Sequence, residues 1–371
     1  MKRSAFDVRA LIRPDLLKMA GYTPIEPTDV LAERLGIAPG DVVKLDGNEN
    51  PFGPSPKALA AIARERDYHI YPDPEQRKVR AALADYTGAS ADRIVCGLGS
   101  DDLIDLVLRA VVQPGDRVLN CPPTFGMYPF STGIAGGRIV DVPRGEDFGV
   151  DVAAVESETP DAKLLFLASP NNPTGNLLSR GELERLLATG VLVVLDEAYV
   201  EFAGPAASQV GLVEEHENLV VLRTFSKWAG LAGLRAGYGV MSPVLASVLM
   251  AIKQPYNLNV AAGVAMLAAL DDREVLLERC RTIVELREAL ARDLAALPWI
   301  TPYPSEANFV LCRLDGLDAT EVRDRLAQRG IFVRMFDTPA LRNHLRISVG
   351  LAEQNARLVA ALREIGGELG R

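Results

Sequence analysis

Three polar residues stand where strands are predicted to end: Asn172 after the apolar run 164–168, Asp196 after 192–195 and Lys227 after 219–222. In open α/β sheets, ligands bind outside the carboxyl ends of the strands, so these side chains are expected to converge on one site. A lysine is ordinarily a solvated surface charge. Lys227 instead lies between apolar segments in Arg223-Thr224-Phe225-Ser226-Lys227, with Gly230, Gly233 and Arg235 following. An amine desolvated beside another cation has a lowered pKa and becomes a nucleophile for carbonyl chemistry. Thr224, Ser226 and Arg235 supply hydroxyls and a guanidinium fork that suit a phosphate. A carbonyl-reactive amine with a phosphate cradle beside it describes a pyridoxal phosphate (PLP) site.

Asp196 has two readings. It is either a helix N-cap at a strand-to-loop turn or a buried carboxylate paired with a pyridinium nitrogen, keeping the ring an electron acceptor. In the second reading Tyr199 hydrogen-bonds the phenolic oxygen of the ring. Ser169-Pro170-Asn171-Asn172-Pro173-Thr174-Gly175 is by composition a loop, stiffened by prolines around its asparagines. In Cys96-Gly97-Leu98-Gly99-Ser100-Asp101-Asp102 the glycines let backbone N–H groups approach a phosphate at a helix N-terminus. Asp102 replaces the third glycine of a dinucleotide fingerprint, and no acidic residue ends the next strand. An NAD site is therefore disfavoured, and a mononucleotide-sized phosphate pocket stands. Phe125, at the start of the next helix, either packs in the core or stacks on a cofactor ring.

The elements that must position these groups follow from periodicity. Short β-branched runs at 93–96, 117–120, 138–142, 164–168, 192–195 and 219–222 alternate with helical stretches such as 101–112 and 181–189. Continuous apolar strands between helices predict a mostly parallel sheet covered on both faces. Beyond Asn259 the pattern becomes two long helices (260–269 and 273–297), then strand 308–313, helix 319–329, strand 345–349 and helix 351–365. The 371 residues suffice for two domains. The expected fold is α/β: a large PLP-binding domain over 45–265, its central sheet flanked by helices, and a smaller α+β domain from 1–44 and 266–371. The smaller domain carries an N-terminal arm with a short helix near 29–35.

A formal charge of −9 leaves no basic excess for neutralising nucleic-acid phosphates. The N-terminus has basic residues but no apolar stretch behind them, so no signal peptide is expected. No apolar run approaches the roughly 20 residues that span a bilayer. Cys96, Cys121, Cys280 and Cys312 form no CxxC pair and read as free thiols. The expected setting is the cytoplasm, with no structural metal.

The chain resembles the fold-type-I PLP aminotransferases along nearly its whole length, and most closely the histidinol-phosphate aminotransferases. The carriers are Leu45-Asp46-Gly47-Asn48-Glu49-Asn50-Pro51-Phe52-Gly53-Pro54, Tyr71-Pro72-Asp73-Pro74, Gly99-Ser100-Asp101-Asp102, the Ser169 to Gly175 loop, Asp196-Glu197-Ala198-Tyr199, Ser226-Lys227 and Leu234-Arg235. The resemblance implies that Lys227 holds the cofactor as a Schiff base and shuttles the substrate's α-proton. It implies that Asp196 pairs the ring nitrogen, that Asn172 and Tyr199 meet the phenolic oxygen, and that Phe125 stacks on the ring. Ser100, Asp101 (by its N–H), Thr224, Ser226 and Arg235 fall where the family holds the phosphate. Tyr71 resembles a tyrosine that reaches the neighbouring subunit's cofactor phosphate, implying a homodimer with shared active sites.

For substrate, Arg346 resembles the arginine that forks the α-carboxylate of glutamate and 2-oxoglutarate. Arg334 and Tyr22 resemble residues that bind and close over a substrate phosphate, with Asn50 and Tyr256 as further candidates. Both arginines sit in apolar strand contexts rather than in charged surface runs. Trp228-Ala229 inverts the family's usual order of a small residue and then an aromatic, placing an indole beside Lys227. Gly47-Asn48 replaces the commoner alanine-asparagine. The implied reaction is amino transfer between histidinol phosphate and 2-oxoglutarate, in histidine biosynthesis. The alternatives are an aromatic aminotransferase, a phosphothreonine-type PLP decarboxylase and a non-catalytic PLP binder.

Overall fold

The computed structural model describes residues 7–370; residues 1–6 and 371, the two extremities of the expected smaller domain, lie outside the described residues. In chain order the strands are β1 (Val43–Leu45), β2 (Ile94–Gly97), β3 (Arg117–Asn120), β4 (Arg138–Asp141), β5 (Ala162–Ala168), β6 (Leu192–Asp196), β7 (Leu219–Thr224), β8 (Gly237–Val240), β9 (Ile300–Pro302), β10 (Phe309–Leu314), β11 (Ile331–Met335) and β12 (His344–Ser348). Among the described residues they form a seven-stranded sheet, ordered β2-β8-β7-β6-β5-β3-β4, and a five-stranded sheet, ordered β1-β11-β12-β10-β9.

The run of neighbours β4, β3, β5, β6 and β7 is parallel. Leu165, Leu167, Leu195 and Val221 enter one core while Phe166, Val194, Val220 and Leu222 enter another on the opposite face. Successive side chains of a strand point to opposite faces, so a sheet covered by helices on both sides needs apolar residues at every position. That is why these strands read as unbroken apolar runs.

The exception is β8, antiparallel to both β2 and β7 and absent from the sequence expectation. Its Gly-Tyr-Gly-Val composition has weak strand propensity. Gly237 is required there because a Cβ would lie 2.6 Å from the carbonyl carbon of Gly99. The strand gives up propensity to let the Gly97–Ser100 turn pass close.

In the smaller sheet β1 pairs in parallel with β11, so a segment far upstream completes it. β11 and β12 are antiparallel and set Arg334 opposite Arg346. Helix Arg273–Ala295 joins the two cores: Leu276, Cys280 and Ile283 pack in the large one, Leu290 and Leu294 in the small one. All four cysteines are free and buried, and no helix of the described residues is long and apolar enough to cross a membrane.

Candidate active site

A cavity of about 610 Å³ opens between the two sheets, and Asn172, Asp196 and Lys227 all line it. Lys227 lies three residues past the end of β7. Its Nζ donates to the Gly47 carbonyl at 3.0 Å and lies 5.9 Å from the centre of the Tyr199 ring. Burial, with the positive charge of Arg346 nearby, pushes its pKa down to about 8. Asn50 is expected to meet substrate, and the structure places it against the backbone that carries Lys227. Its amide donates to the carbonyls of Lys227 at 3.0 Å and Trp228 at 2.9 Å, and it does not line the cavity. It braces the lysine's backbone instead.

Asp196 is the last residue of β6 and is buried. Its Oδ2 accepts from the Tyr128 hydroxyl at 2.9 Å and its Oδ1 from the Ala198 N–H at 3.0 Å. These bonds favour the carboxylate, yet desolvation outweighs them and raises its pKa to about 6. The helix-cap reading fails, because Tyr199 occupies the N-cap of helix Val200–Ala203. A carboxylate that gains from a cationic partner is what a pyridinium nitrogen requires.

The Tyr199 hydroxyl accepts from Asn48 Nδ2 at 3.0 Å, and burial lifts its pKa to about 12, so the phenol keeps its proton. Asn172 lies in the loop with cis bonds at Ser169-Pro170 and Asn172-Pro173. Its Oδ1 accepts from Arg346 Nη1 at 2.6 Å. With the carbonyl end so engaged, the NH₂ end is the one free to donate. Phe125 lines the cavity and stands edge-on to Tyr128, ring centres 5.5 Å apart.

The phosphate-type groups also converge. Gly99 has φ +81°, and a Cβ there would sit 2.9 Å from Arg235 Nη2. It leads into helix Ser100–Val111, whose N-terminus faces the cavity with Ser100 and Asp101. The hydroxyls of Thr224 and Ser226 lie 2.9 Å apart beside it. Arg235 Nη2 is held by the Asp101 carboxylate at 3.0 Å, so Asp101 contributes a side-chain contact as well as its expected N–H position. A helix N-terminus, paired hydroxyls and a guanidinium suit a phosphate monoester. Together with the Lys227 amine and the Asp196 carboxylate, these residues fit PLP.

The opposite wall comes from the smaller sheet. Arg346, buried, donates from Nη1 to Asn172 and from Nη2 to the Asp46 carbonyl at 2.6 Å, while its Nε has no hydrogen-bond partner. Arg334 donates to the Thr23 carbonyl at 3.0 Å. Both guanidiniums lie over Phe336, at 5.9 Å and 5.5 Å from the ring centre, and neither forms an ion pair among the described residues. Tyr22 lines the mouth, half exposed.

Two expected residues are not brought in. Tyr71 and Tyr256 stack on each other at the surface, ring centres 4.4 Å apart, and neither lines this chain's cavity. The Trp228 indole is not in the pocket either. It is fully buried, stacked on Tyr86 at 5.5 Å, so the inverted order leaves the cavity shape alone. Sequence reasoning missed Tyr128, Phe336 and the role of Asn48. Asn48 has φ +52°, a conformation asparagine tolerates better than most residues, and Tyr128 follows Phe125 at helical spacing; both were available as signals.

Residues 40–362 match the family Aminotransferase class I and II. The chain belongs to that family. This aminotransferase is 54% identical over 368 residues to the histidinol-phosphate aminotransferase of Roseiflexus castenholzii, covering 96% of this chain and 99% of the relative. It is 46% identical over 363 residues to that of Dehalococcoides mccartyi, covering 97% and 99%. Among solved structures it resembles histidinol-phosphate aminotransferase from Sinorhizobium meliloti in complex with pyridoxal-5'-phosphate, with a TM-score of 0.87 and 31% identity over 99% of this chain and all of that one.

Proposed function

We propose that this transaminase uses PLP anchored on Lys227 to move the amino group of histidinol phosphate to 2-oxoglutarate, giving imidazole acetol phosphate and glutamate. The observation that carries the substrate is the pair Arg334 and Arg346. They stand opposite each other across β11 and β12, face one cavity and have no carboxylate partner among the described residues. Two such guanidiniums call for a dianion. Histidinol phosphate presents one as its phosphate monoester, and 2-oxoglutarate brings two carboxylates that the pair can share. An aromatic keto acid presents a single carboxylate and a ring.

PLP, when bound, supplies the electron sink that lets the substrate's α-proton leave. The chain's own groups do the rest. Lys227 Nζ takes the α-proton, its low pKa keeping a share of the amine neutral near pH 8. Asp196 holds a proton at the ring nitrogen, with Tyr128 orienting its Oδ2. Tyr199 and the Asn172 amide serve the phenolic oxygen, and Arg334, Arg346 and Tyr22 hold the substrate's anionic end.

The surface position of Tyr71, stacked on Tyr256 and outside its own cavity, supports a homodimer in which it reaches the partner's phosphate cradle. The joining of β1 to the smaller sheet supports domains of 45–265 and 1–44 with 266–371. The free, buried cysteines support a reducing cytoplasmic setting. The deciding assay follows amino transfer by the holoenzyme from glutamate. Turnover with imidazole acetol phosphate but not phenylpyruvate is expected. The reverse preference, or carbon dioxide release from phosphothreonine, would replace this reading.

A further inference from the structure

A second cavity, of about 300 Å³, lies on the far side of the Pro122-Pro123 turn that leads to Phe125. Its walls come from both halves of the molecule: Pro122, Pro123 and Arg144 follow β3 and β4, whereas Tyr303, Ala340 and His344 belong to the smaller sheet and its loops. Arg144 is only 9% exposed. Its Nε donates to the Cys121 carbonyl and its Nη1 to the Phe148 carbonyl, each at 3.0 Å. Those bonds tie the turn together and explain two of its three nitrogens. Its Nη2 has no hydrogen-bond partner among the described residues, and no carboxylate pairs with the side chain, although Glu146 stands on the cavity rim. Burying a guanidinium with no carboxylate in ion-pair contact is costly, and here desolvation lowers its pKa against the smaller opposing charge of Glu182.

Around this charge the walls are rings. Phe148 meets Tyr303 edge-on at 5.1 Å, and Tyr303 stacks with His344 at 5.7 Å and 29°. A single guanidinium edge, with the two N–H groups of Nη2 unpaired and aromatic and proline walls around it, does not make a phosphate site, which draws donors from several residues. It matches a monoanion with a flat apolar body.

We propose that this cavity is a second binding site, for a small carboxylate bearing a planar ring, with the carboxylate on Arg144 and the ring against Tyr303 and His344. An occupant would bridge the two sheets. It would also lie one turn behind Phe125 and two residues along β12 from Arg346, so its presence is expected to change the KM for the amino donor.

The test is calorimetric titration of the holoenzyme with benzoate and with imidazole-4-acetate. Saturable binding is expected, weakened about tenfold or more by Arg144→Met and restored in part by Arg144→Lys. Because Arg144 also braces the turn, Ala340→Phe, on an exposed loop at the rim, gives an independent reading: it should block binding and abolish any benzoate-dependent change in KM. Arg346→Met should leave the second-site affinity unchanged. Absence of saturable binding at millimolar ligand would overturn the proposal. So would binding that survives Ala340→Phe and disappears in Arg346→Met, which would place the ligand in the active site.

Discussion

On one wall of the active site, Asp196 and Lys227 leave buried parallel strands and are held by backbone and side-chain partners such as Ala198, Tyr128, Gly47 and Asn50. On the other wall, Arg334 and Arg346 leave an antiparallel pair of the smaller sheet, and their charges are met only by carbonyl oxygens. The side chains of the first wall are held in place by partners within the chain. The second carries positive charge that no carboxylate among the described residues pairs with. On the proposed function, chemistry falls to the satisfied wall and substrate choice to the unsatisfied one, because only unspent charge can reward an incoming anion.

If that division holds, the largest effect belongs to Lys227→Ala. It should lower kcat by about a thousandfold or more, with the fold intact by circular dichroism. A loss of under tenfold would remove Lys227 from the proton path. The second wall should respond in KM instead. Arg334→Met should raise KM for the phosphate-bearing substrate by about ten- to a hundredfold while leaving kcat within a few-fold. A fall in kcat with KM unchanged would break the comparison.

The two walls also touch electrostatically, since Arg346 helps depress the Lys227 amine. Capture of PLP by the apoenzyme needs the neutral amine. Its rate should rise by about tenfold per pH unit below the lysine's pKa and level off above about 8. In Arg346→Met the inflection should move to higher pH; an unmoved inflection would show that burial alone sets it. The smallest effect is expected for Asn48→Ala, at the seam between the walls. It removes bonds to Tyr199 and Ser348 and places alanine at positive φ. A stability loss of about 1–3 kcal/mol, read by denaturant titration, should accompany only a few-fold change in kcat.

The first wall is legible in the sequence because strands buried on both faces spell continuous apolar runs, and a polar residue at the end of one stands out. Asn172, Asp196 and Lys227 are found that way. The second wall is not legible from pattern. β1 and β11 are short and far apart in the chain, and nothing local announces that Val43 pairs with Ile331. Arg334 and Arg346 could be singled out only through family resemblance and their apolar context. β8 escaped because it is glycine-rich, Gly237 making room for the passing Gly99 turn. Tyr128 and Asn48 escaped because their importance lies in what they hold, a carboxylate and a phenol made by other segments.

Lys227 as the cofactor's anchor is the residue on which every other role depends. Reduction of the holoenzyme with borohydride, followed by peptide mapping, tests it directly. A pyridoxyl group is expected on the peptide containing Lys227 and on no other. A stable adduct on a different lysine, or none at all on an active preparation, would contradict it.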